Sequence, residues 1–243
     1  MPEQFDVSLI LPCYNEAEHF ESSVDRIIEI LDGTDFSWEI LFIDDKSRDE
    51  TPVLIKNYIA GHRRQHLSGY FHQINRGRGA TVAEGIKLSQ GKIVGYIDID
   101  LEVLPDYIPR FVQAVENGAD VAAGWRIYDF TLRSLPRWIA SKGYNFIRDL
   151  VLGTAIKDTE AGYKFFRKKK ILPILKKCLS PGWFWDTEIM VQSEKAGLKI
   201  EQIPVVFIRR FDKTSTVRLI PDTLVYLKEL WRFKYRRHPE RAE

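Results

Sequence analysis

IVGYIDIDLE, residues 93–102, runs five apolar or small residues straight into three carboxylates. An uncharged run of that kind suits a strand buried on both faces, and such strands belong to parallel sheets covered by helices. In extended backbone alternate side chains share a face, so Asp98, Asp100 and Glu102 are expected to project together where the strand leaves the core. Carboxylates held close repel one another unless a cation or raised pKa values relieve them. Mg2+ or Mn2+ is the usual remedy, bound by one or two carboxylates together with substrate phosphates.

On either side of this stretch the same alternation continues. Strands are expected at 7–13, 39–44, 67–74, 93–97 and 121–124, with helices at 16–31, 51–59, 80–89 and 107–117 between them. Short apolar runs separated by helices indicate βαβ units, hence an α/β, Rossmann-like, mainly parallel sheet flanked by helices. Ligands of such sheets gather beyond the carboxyl ends of the strands. Here each strand ends in polar chemistry: Pro12-Cys13-Tyr14-Asn15-Glu16; Asp44-Asp45 followed by Ser47, Asp49 and Thr51; Asn75-Arg76-Gly77-Arg78-Gly79; Asp98 to Glu102; and Gly124-Trp125-Arg126. One polar strand end is unremarkable, whereas five on one edge make a binding crevice. Gly77 and Gly79 flank Arg78 before a helix, which lets backbone amides and a guanidinium approach an anion. Neither GxxxxGK[ST] nor GxGxxG occurs, which argues against a P-loop hydrolase and a dinucleotide dehydrogenase. A metal-held diphosphate, its other end recognised by the earlier strand ends, remains.

The 243 residues, 44% hydrophobic and 29% charged, are those of an ordinary globular chain, most simply one α/β domain with a modified C-terminal part. Cys13 and Cys178 form no metal or disulfide pattern, so free thiols in a cytosolic setting are expected. No signal peptide is read. The longest stretch without Asp, Glu, Lys or Arg is 65–75, far short of the roughly 18–20 apolar residues that span a bilayer. Charge is split unevenly: residues 1–120 hold 11 Lys and Arg against 21 Asp and Glu, a balance of −10, and residues 121–243 hold 25 against 13, a balance of +12. The second half is therefore expected to face something anionic, whether a membrane surface, phosphorylated ligands or nucleic acid. Solvated helix faces are the plainer alternative.

That half carries further signals. Residues 132–152 begin with Arg133, contain Pro136 and continue amphipathically through Trp138, Tyr144 and Phe146. DTEAGYKFFRKKK follows, and 164–177 holds seven Lys or Arg and no carboxylate. GWFWDTEI, 182–189, sets three aromatic rings before Asp186 and Glu188. A strand at 203–208 leads into RRFDKTSTVR, and the tail mixes Tyr226, Trp231, Phe233 and Tyr235 with Lys228, Arg232, Lys234, Arg236 and Arg237. Aromatic and basic residues on one helix suit the headgroup region of an anionic membrane. No nucleic-acid-binding motif accompanies the charge, so nucleic acid is not an expected partner.

Together, PCYNE, DDKSRDET, NRGRG, DIDLE and DTEAGYKFFRK resemble the inverting family 2 glycosyltransferases of GT-A fold, in particular the polyprenyl- and dolichyl-phosphate hexosyltransferases. The matching segments are collinear from about Val7 to about Arg218. The resemblance implies that Pro12, Tyr14, Asn15 and Glu16 with Asp44 and Asp45 bind the nucleoside of a donor. It implies that Asp98 and Asp100, with Glu102 where dolichyl-phosphate mannose synthases have glutamine, hold the metal and diphosphate, and that Arg126 reaches the phosphates. Arg78 stands where lysine is commoner, a change mild for charge but not for geometry. On the acceptor side the resemblance places Asp158, Thr159, Gly162 and Lys164 near the sugar and lipid phosphate. Arg133, Ser215 and Arg218 are further phosphate candidates; Ser-Lys is frequent at 215–216, but Thr216 replaces the lysine here, leaving Arg218, Arg210 or Lys213 to substitute.

The expected catalytic chain is 1–218, with 219–243 a basic-aromatic helix at the membrane surface. The expected reaction is metal-dependent transfer of a hexose, with inversion, from a UDP- or GDP-linked sugar to polyprenyl or dolichyl phosphate. Asp100 is expected to act at the metal, and Asp186 and Glu188 on the acceptor side. An enzyme with a hydroxyl acceptor would need one of these two as a base, whereas a phosphate acceptor is already ionised. A catalytically dead nucleotide-sugar-binding scaffold is the remaining alternative. The implied location is peripheral, on the cytoplasmic face, with a membrane-protein partner as a further expectation.

Overall fold

The computed structural model describes residues 4–62, 66–128, 148, 151–208 and 219–235. The first half follows the expected alternation: β1 (Phe5–Cys13), α1 (Phe20–Asp32), β2 (Trp38–Asp44), α2 (Thr51–His62), β3 (Leu67–Phe71), α3 (Arg78–Leu88), β4 (Gly91–Ile97), a 3-10 turn (Pro105–Tyr107), α4 (Ile108–Glu116) and β5 (Val121–Tyr128). The second half adds β6 (Tyr163–Arg167), α5 (Lys168–Leu175), α6 (Trp185–Lys195), β7 (Ile200–Phe207) and α7 (Leu219–Tyr235). The strands form one sheet in the order β3-β2-β1-β4-β6-β5-β7. β1 pairs parallel with β2 and β4, β2 with β3, and β5 with β7, while β6 runs antiparallel between β4 and β5. Because β6 reverses direction twice over, β5 ends at the same edge as β1, β2, β3 and β4.

Period-2 alternation sorts the core into two layers. Val7, Leu9 and Leu11 of β1 and Ile40 and Phe42 of β2 pack with Phe20, Val24 and Ile27 of α1 and Ile108 and Phe111 of α4. Ile10, Leu41, Ile43, Val94 and Tyr96 face the other way, onto Val82 and Ile86 of α3, Ile171 of α5 and Trp185 and Ile189 of α6. Pro12 is tolerated inside β1 because the pairing with β4 stops at Ile10, so no ladder bond on that side needs its missing N–H.

Several boundaries differ from expectation, each for a local reason. Residues 98–101 turn instead of extending: Leu101 N–H bonds to the Asp98 carbonyl and Leu101 takes φ 54. The expected common face of Asp98, Asp100 and Glu102, which relied on strand alternation, is therefore lost at Ile97. α1 starts at Phe20, not at 16: His19 N–H closes a separate turn onto the Glu16 carbonyl, and the amides of Asn15, Glu16 and Ala17 are taken by Ser47, Thr51 and Asp49. β5 continues to Tyr128, which puts Arg126 inside a strand paired in register with Val205. β6 has no counterpart in the expected strands; its Lys164 and Arg167 interrupt the apolar pattern of YKFFR and begin the basic stretch 164–177.

α7 docks on the body by one face. Tyr226, Leu230 and Phe233 pack with Phe184 and Val191, so two of the four aromatic rings expected at a membrane surface are buried in the protein. Among the described residues no helix is long and apolar enough to cross a membrane.

Candidate active site

The polar strand ends are joined to one another along the edge. Asn15, ending the turn after β1 with φ 57, receives the Arg48 N–H on its Oδ1 at 2.8 Å and donates its own N–H to Ser47 Oγ at 2.9 Å. Ser47 N–H in turn reaches Asp44 Oδ2 at 3.1 Å. Asp44 is buried and its Oδ1 has no hydrogen-bond partner. A buried, unpaired acceptor is costly unless a ligand supplies the donor, and Asp44 lies at the nucleoside end of the crevice as read from the sequence. Pro12, Tyr14 and Glu16 are half-buried around the end of β1, whose Cys13 pairs in register with Asp44.

Asp45 serves the next strand end. Its carboxylate accepts the N–H groups of Arg76 and Gly77 at 2.7 and 2.8 Å and lies 2.7 Å from His72 Nδ1. These contacts engage both oxygens in shaping the 75–79 loop. Gly77 sits at φ 90, and a Cβ there would come within 2.7 Å of the Pro181 carbonyl oxygen, so only glycine fits.

Arg78, first residue of α3, carries the edge onward. Its guanidinium bonds to Asp98 at 2.5 Å and to Asp186 at 2.6 Å and lies under the Trp183 ring, 5.5 Å from its centroid. Asp186, whose side chain is 2% exposed, also takes the Tyr96 hydroxyl and Lys164 Nζ, the latter at 3.1 Å. Tyr96 and Lys164 meet there because they are directly opposite in the β4–β6 register. Asp98 Oδ2 presses on Gly162: a Cβ at Gly162 would lie 1.9 Å from it. The DTEAGYK segment thus closes against the end of β4, as its place in the sequence alone did not reveal.

Electrostatics follow from this packing. Burial would lower Arg78, but Asp186 and Asp98 outweigh it and hold the guanidinium above its ordinary value. Burial, together with the Arg78 charge, lowers Lys164 against the pull of Asp186. Burial raises Asp98, and the neighbouring Asp100 carboxylate adds to this against Arg78; because the Asp98 side chain is 45% exposed, water moderates the burial part. Asp100 Oδ1 accepts Glu102 N–H at 3.3 Å. Among the described residues no three His, Cys, Asp or Glu side chains come together as a metal cluster. Two hard carboxylates on one turn, with a raised Asp98, nevertheless fit an Mg2+ or Mn2+ whose remaining positions are filled by diphosphate and water.

Residues 8–173 match the glycosyl transferase family 2 pattern. The chain belongs to that family. Among relatives of this family 2 protein, glycosyltransferase AglD of Haloferax volcanii is 28% identical over 225 residues, covering 90% of this chain but 35% of its own length. The dolichyl-phosphate beta-glucosyltransferase of Dictyostelium discoideum is 28% identical over 251 residues, 94% of this chain and 77% of its own. Dolichyl-phosphate beta-glucosyltransferase ALG5A of Trichomonas vaginalis is 26% identical over 259 residues, covering 98% and 79%. This chain thus spans about a third of AglD and over three quarters of the other two. Glucosyl-3-phosphoglycerate synthase from Mycobacterium tuberculosis, solved with Mn2+, UDP and glucosyl-3-phosphoglycerate, superimposes with a TM-score of 0.68 at 18% identity over 95% of this chain and 80% of that one. The shared architecture is the GT-A fold.

In this family 2 chain the remaining candidates, Arg126 of the donor side and those of the acceptor side, divide sharply. Arg126 donates through Nε and Nη2 to Asp158 at 2.7 and 3.0 Å and lies beside the Tyr128 and Phe207 rings. Lys164 is fully buried, with Nζ bonded to the Ala161 carbonyl as well as to Asp186. Its ammonium thus faces protein acceptors, at the point where the DTEAGYK segment meets α6. Glu188 is fully buried too, its Oε2 accepting the N–H groups of Leu179 and Ser180 at 2.9 and 2.7 Å. Arg133, Ser215 and Arg218, like Arg210 and Lys213, lie outside the described residues. Tyr96 and His72 were missed in the sequence. Tyr96 had a signal, standing two residues before Asp98 and so on its side of the strand.

Asp158 gives a pH prediction. Burial alone would raise its carboxyl, but Arg126, by charge and by side-chain and backbone hydrogen bonds, holds it at about 2 against an ordinary 3.8. A depressed folded-state value stabilises fully above the unfolded value and is lost as pH falls through the folded one, here between about 4 and 2. The shift corresponds to roughly 2 kcal/mol. Asp158→Asn should therefore flatten the acid limb of stability in that window, measured as urea midpoint against pH. Part of the limb should persist, since hydrogen bonds from Lys92 and Ser37 hold Asp6 at about 2 as well. An acid limb identical to wild type would exclude the assignment.

Proposed function

We propose that this protein transfers a hexose from a nucleotide sugar to polyprenyl or dolichyl phosphate with inversion at the anomeric carbon. The observation that carries the acceptor class is the engagement of both candidate bases. Asp186 is occupied by Arg78, Lys164 and Tyr96, and Glu188 by two backbone amides. A hydroxyl acceptor needs a carboxylate in reach of its proton, whereas a phosphate monoester arrives ionised. A lipid-phosphate oxygen would attack the anomeric carbon opposite the leaving group; the new carbon–oxygen bond forms as the bond to the nucleoside diphosphate breaks, and its electron pair leaves with the diphosphate. An α-linked donor thus yields a β-linked lipid-phosphate sugar.

In this reading Asp44, through its unpaired Oδ1, takes a hydrogen bond from the nucleoside, with Pro12, Tyr14, Asn15 and Glu16 shaping that end of the crevice. Asp98 and Asp100 hold Mg2+ or Mn2+, with Glu102 next to them in the chain. The ion supplies charge neutralisation for the departing diphosphate. Arg78 keeps Asp98 oriented and adds positive charge beside it, and Asp158 aims Arg126. Glucose is the first sugar to test, because two relatives are dolichyl-phosphate beta-glucosyltransferases. The test is a screen of UDP- and GDP-sugars with a short polyprenyl phosphate. Product appearing only with the phosphate acceptor is the expected result; turnover with hydroxyl acceptors alone would overturn it.

Membrane docking belongs to the same proposal. The outer face of α7 exposes Leu224, Val225, Trp231 and Tyr235 beside Lys228, Arg232 and Lys234, and each basic group near an anionic surface contributes on the order of 1 kcal/mol. Replacing Arg232, Lys234, Arg236 and Arg237 by Glu, the last two outside the described residues, should abolish flotation with anionic vesicles while donor affinity persists. Wild-type binding to vesicles should weaken as salt rises. Undiminished flotation of the variant would refute docking through this helix, and with it the peripheral placement on the cytoplasmic leaflet that the reading implies.

A further inference from the structure

His72 is the first residue after β3, and its backbone N–H extends the β2–β3 ladder to the Asp44 carbonyl at 2.9 Å. Its ring is buried between two carboxylates. Nδ1 lies 2.7 Å from Asp45 Oδ1, and Nε2 lies 3.3 Å from Glu84 Oε2 without the alignment of a hydrogen bond. Asp45 Oδ1 also receives the Arg76 N–H, its Oδ2 receives the Gly77 N–H, and the Asn75 side-chain amide donates to the Asp45 carbonyl at 2.9 Å. Glu84, on α3, is shared with Arg76. One imidazole therefore touches the carboxylate that builds the loop and the carboxylate of the helix that the loop enters.

We propose that His72 is a positioning residue for donor binding, acting through Asp45 on the 75–79 loop and so on Arg78. The inference rests on the reading of Arg78 as part of the diphosphate site. Its physical basis is rotamer control. The two loop amides follow wherever the Asp45 carboxylate points, and the Nδ1 contact fixes that direction relative to the sheet. Gly77, at φ 90 and against Pro181, leaves the loop little room for an alternative path. Arg78 then makes contacts of 2.5 and 2.6 Å to Asp98 and Asp186, and displacement by about 1 Å would take both beyond hydrogen-bonding range.

Three substitutions separate this role from space filling. The amide nitrogen of asparagine stands close to where Nδ1 was, so His72→Asn keeps a donor for Asp45; that of glutamine reaches nearer the position of Nε2, so His72→Gln does not. His72→Ala and His72→Gln should speed amide hydrogen exchange across 75–79. They should also weaken binding of the nucleotide sugar identified in the donor screen by about 10- to 100-fold, the range that follows a small misplacement. His72→Asn should restore most of both. Melting temperatures taken alongside identify general destabilisation, in which Asn and Gln would fall together and exchange would rise throughout the chain; that pattern would overturn the proposal. Unaltered exchange at 75–79 in His72→Ala would also overturn it. Arg78→Ala supplies the remaining control: if donor binding is indifferent to it, the diphosphate reading fails even when the exchange results hold.

Discussion

Asp100→Asn should reduce hexose transfer by about 10²–10³-fold, the size associated with losing one preorganised charge-stabilising group, while leaving the fold intact. Asp100 lies on the turn that follows β4, outside the hydrophobic layers, and asparagine retains an oxygen that can accept the Glu102 N–H. What it loses is the charge. In the proposed reaction, with Asp98 drawn toward Arg78, the neighbouring turn carboxylate would carry much of the burden of holding Mg2+ or Mn2+, since hard divalent ions select ionised oxygen ligands. Transfer should also disappear on chelation and return on titration with Mn2+, with the variant requiring more metal for the same rate. Full turnover by Asp100→Asn, or activity surviving complete chelation, would remove the metal from the proposed reaction.

Arg78→Ala should be the most destabilising single change at the site as well as an inactivating one. Asp186 is 2% exposed, and removing one partner of a buried ion pair costs about 3–5 kcal/mol because the other charge stays buried. Lys164 and Tyr96 still face Asp186, which favours the lower end of that range. For a chain of this size the loss corresponds to a fall in melting temperature of roughly 10 °C. Arg78→Lys should recover part of the stability and little of the activity. A single ammonium can pair with one carboxylate, but the planar guanidinium uses separate nitrogens for Asp98 and Asp186, and that forked geometry is what ties the end of β4 to the start of α6. Calorimetry and transfer rates on the two variants test this directly; an Arg78→Ala protein that melts with wild type would show that Asp186 is satisfied without the guanidinium.

These effects also mark where reading the chain succeeds. The strands β1, β2 and β4 were legible because a strand buried on both faces must be apolar throughout, and few other structures want LILPC, EILFID or IVGYI. The polar termini were legible because backbone leaving such a sheet enters solvent at one edge, where the parallel order collects the carboxyl ends of all strands except the antiparallel β6. Spacing and resemblance assign Asp44, Arg78, Asp98 and Arg126 to one crevice; in the structure Arg78 pairs with Asp98 and Asp186, and Arg126 with Asp158.

Pairwise geometry was another matter. Nothing local distinguishes Asp44 from Asp45, yet the first keeps a buried oxygen without a partner and the second spends both on a loop. Lys164 opens a basic stretch without carboxylates, yet it is fully buried because antiparallel β6 inserts between β4 and β5 and brings it opposite Tyr96. Asp186 and Glu188 are two residues apart in sequence, one tied to the site cations and the other to the 179–180 amides. On α7, Phe233 turns inward and Trp231 outward. Local hydrophobicity and period suffice to read the parallel strands, the polar residues at their ends and the chemical types these supply, but not the antiparallel β6 inserted between β4 and β5. Which acid meets which base was decided only by the tertiary structure, since an ion pair is set by strand order and register between residues such as Arg78 and Asp186, far apart along the chain.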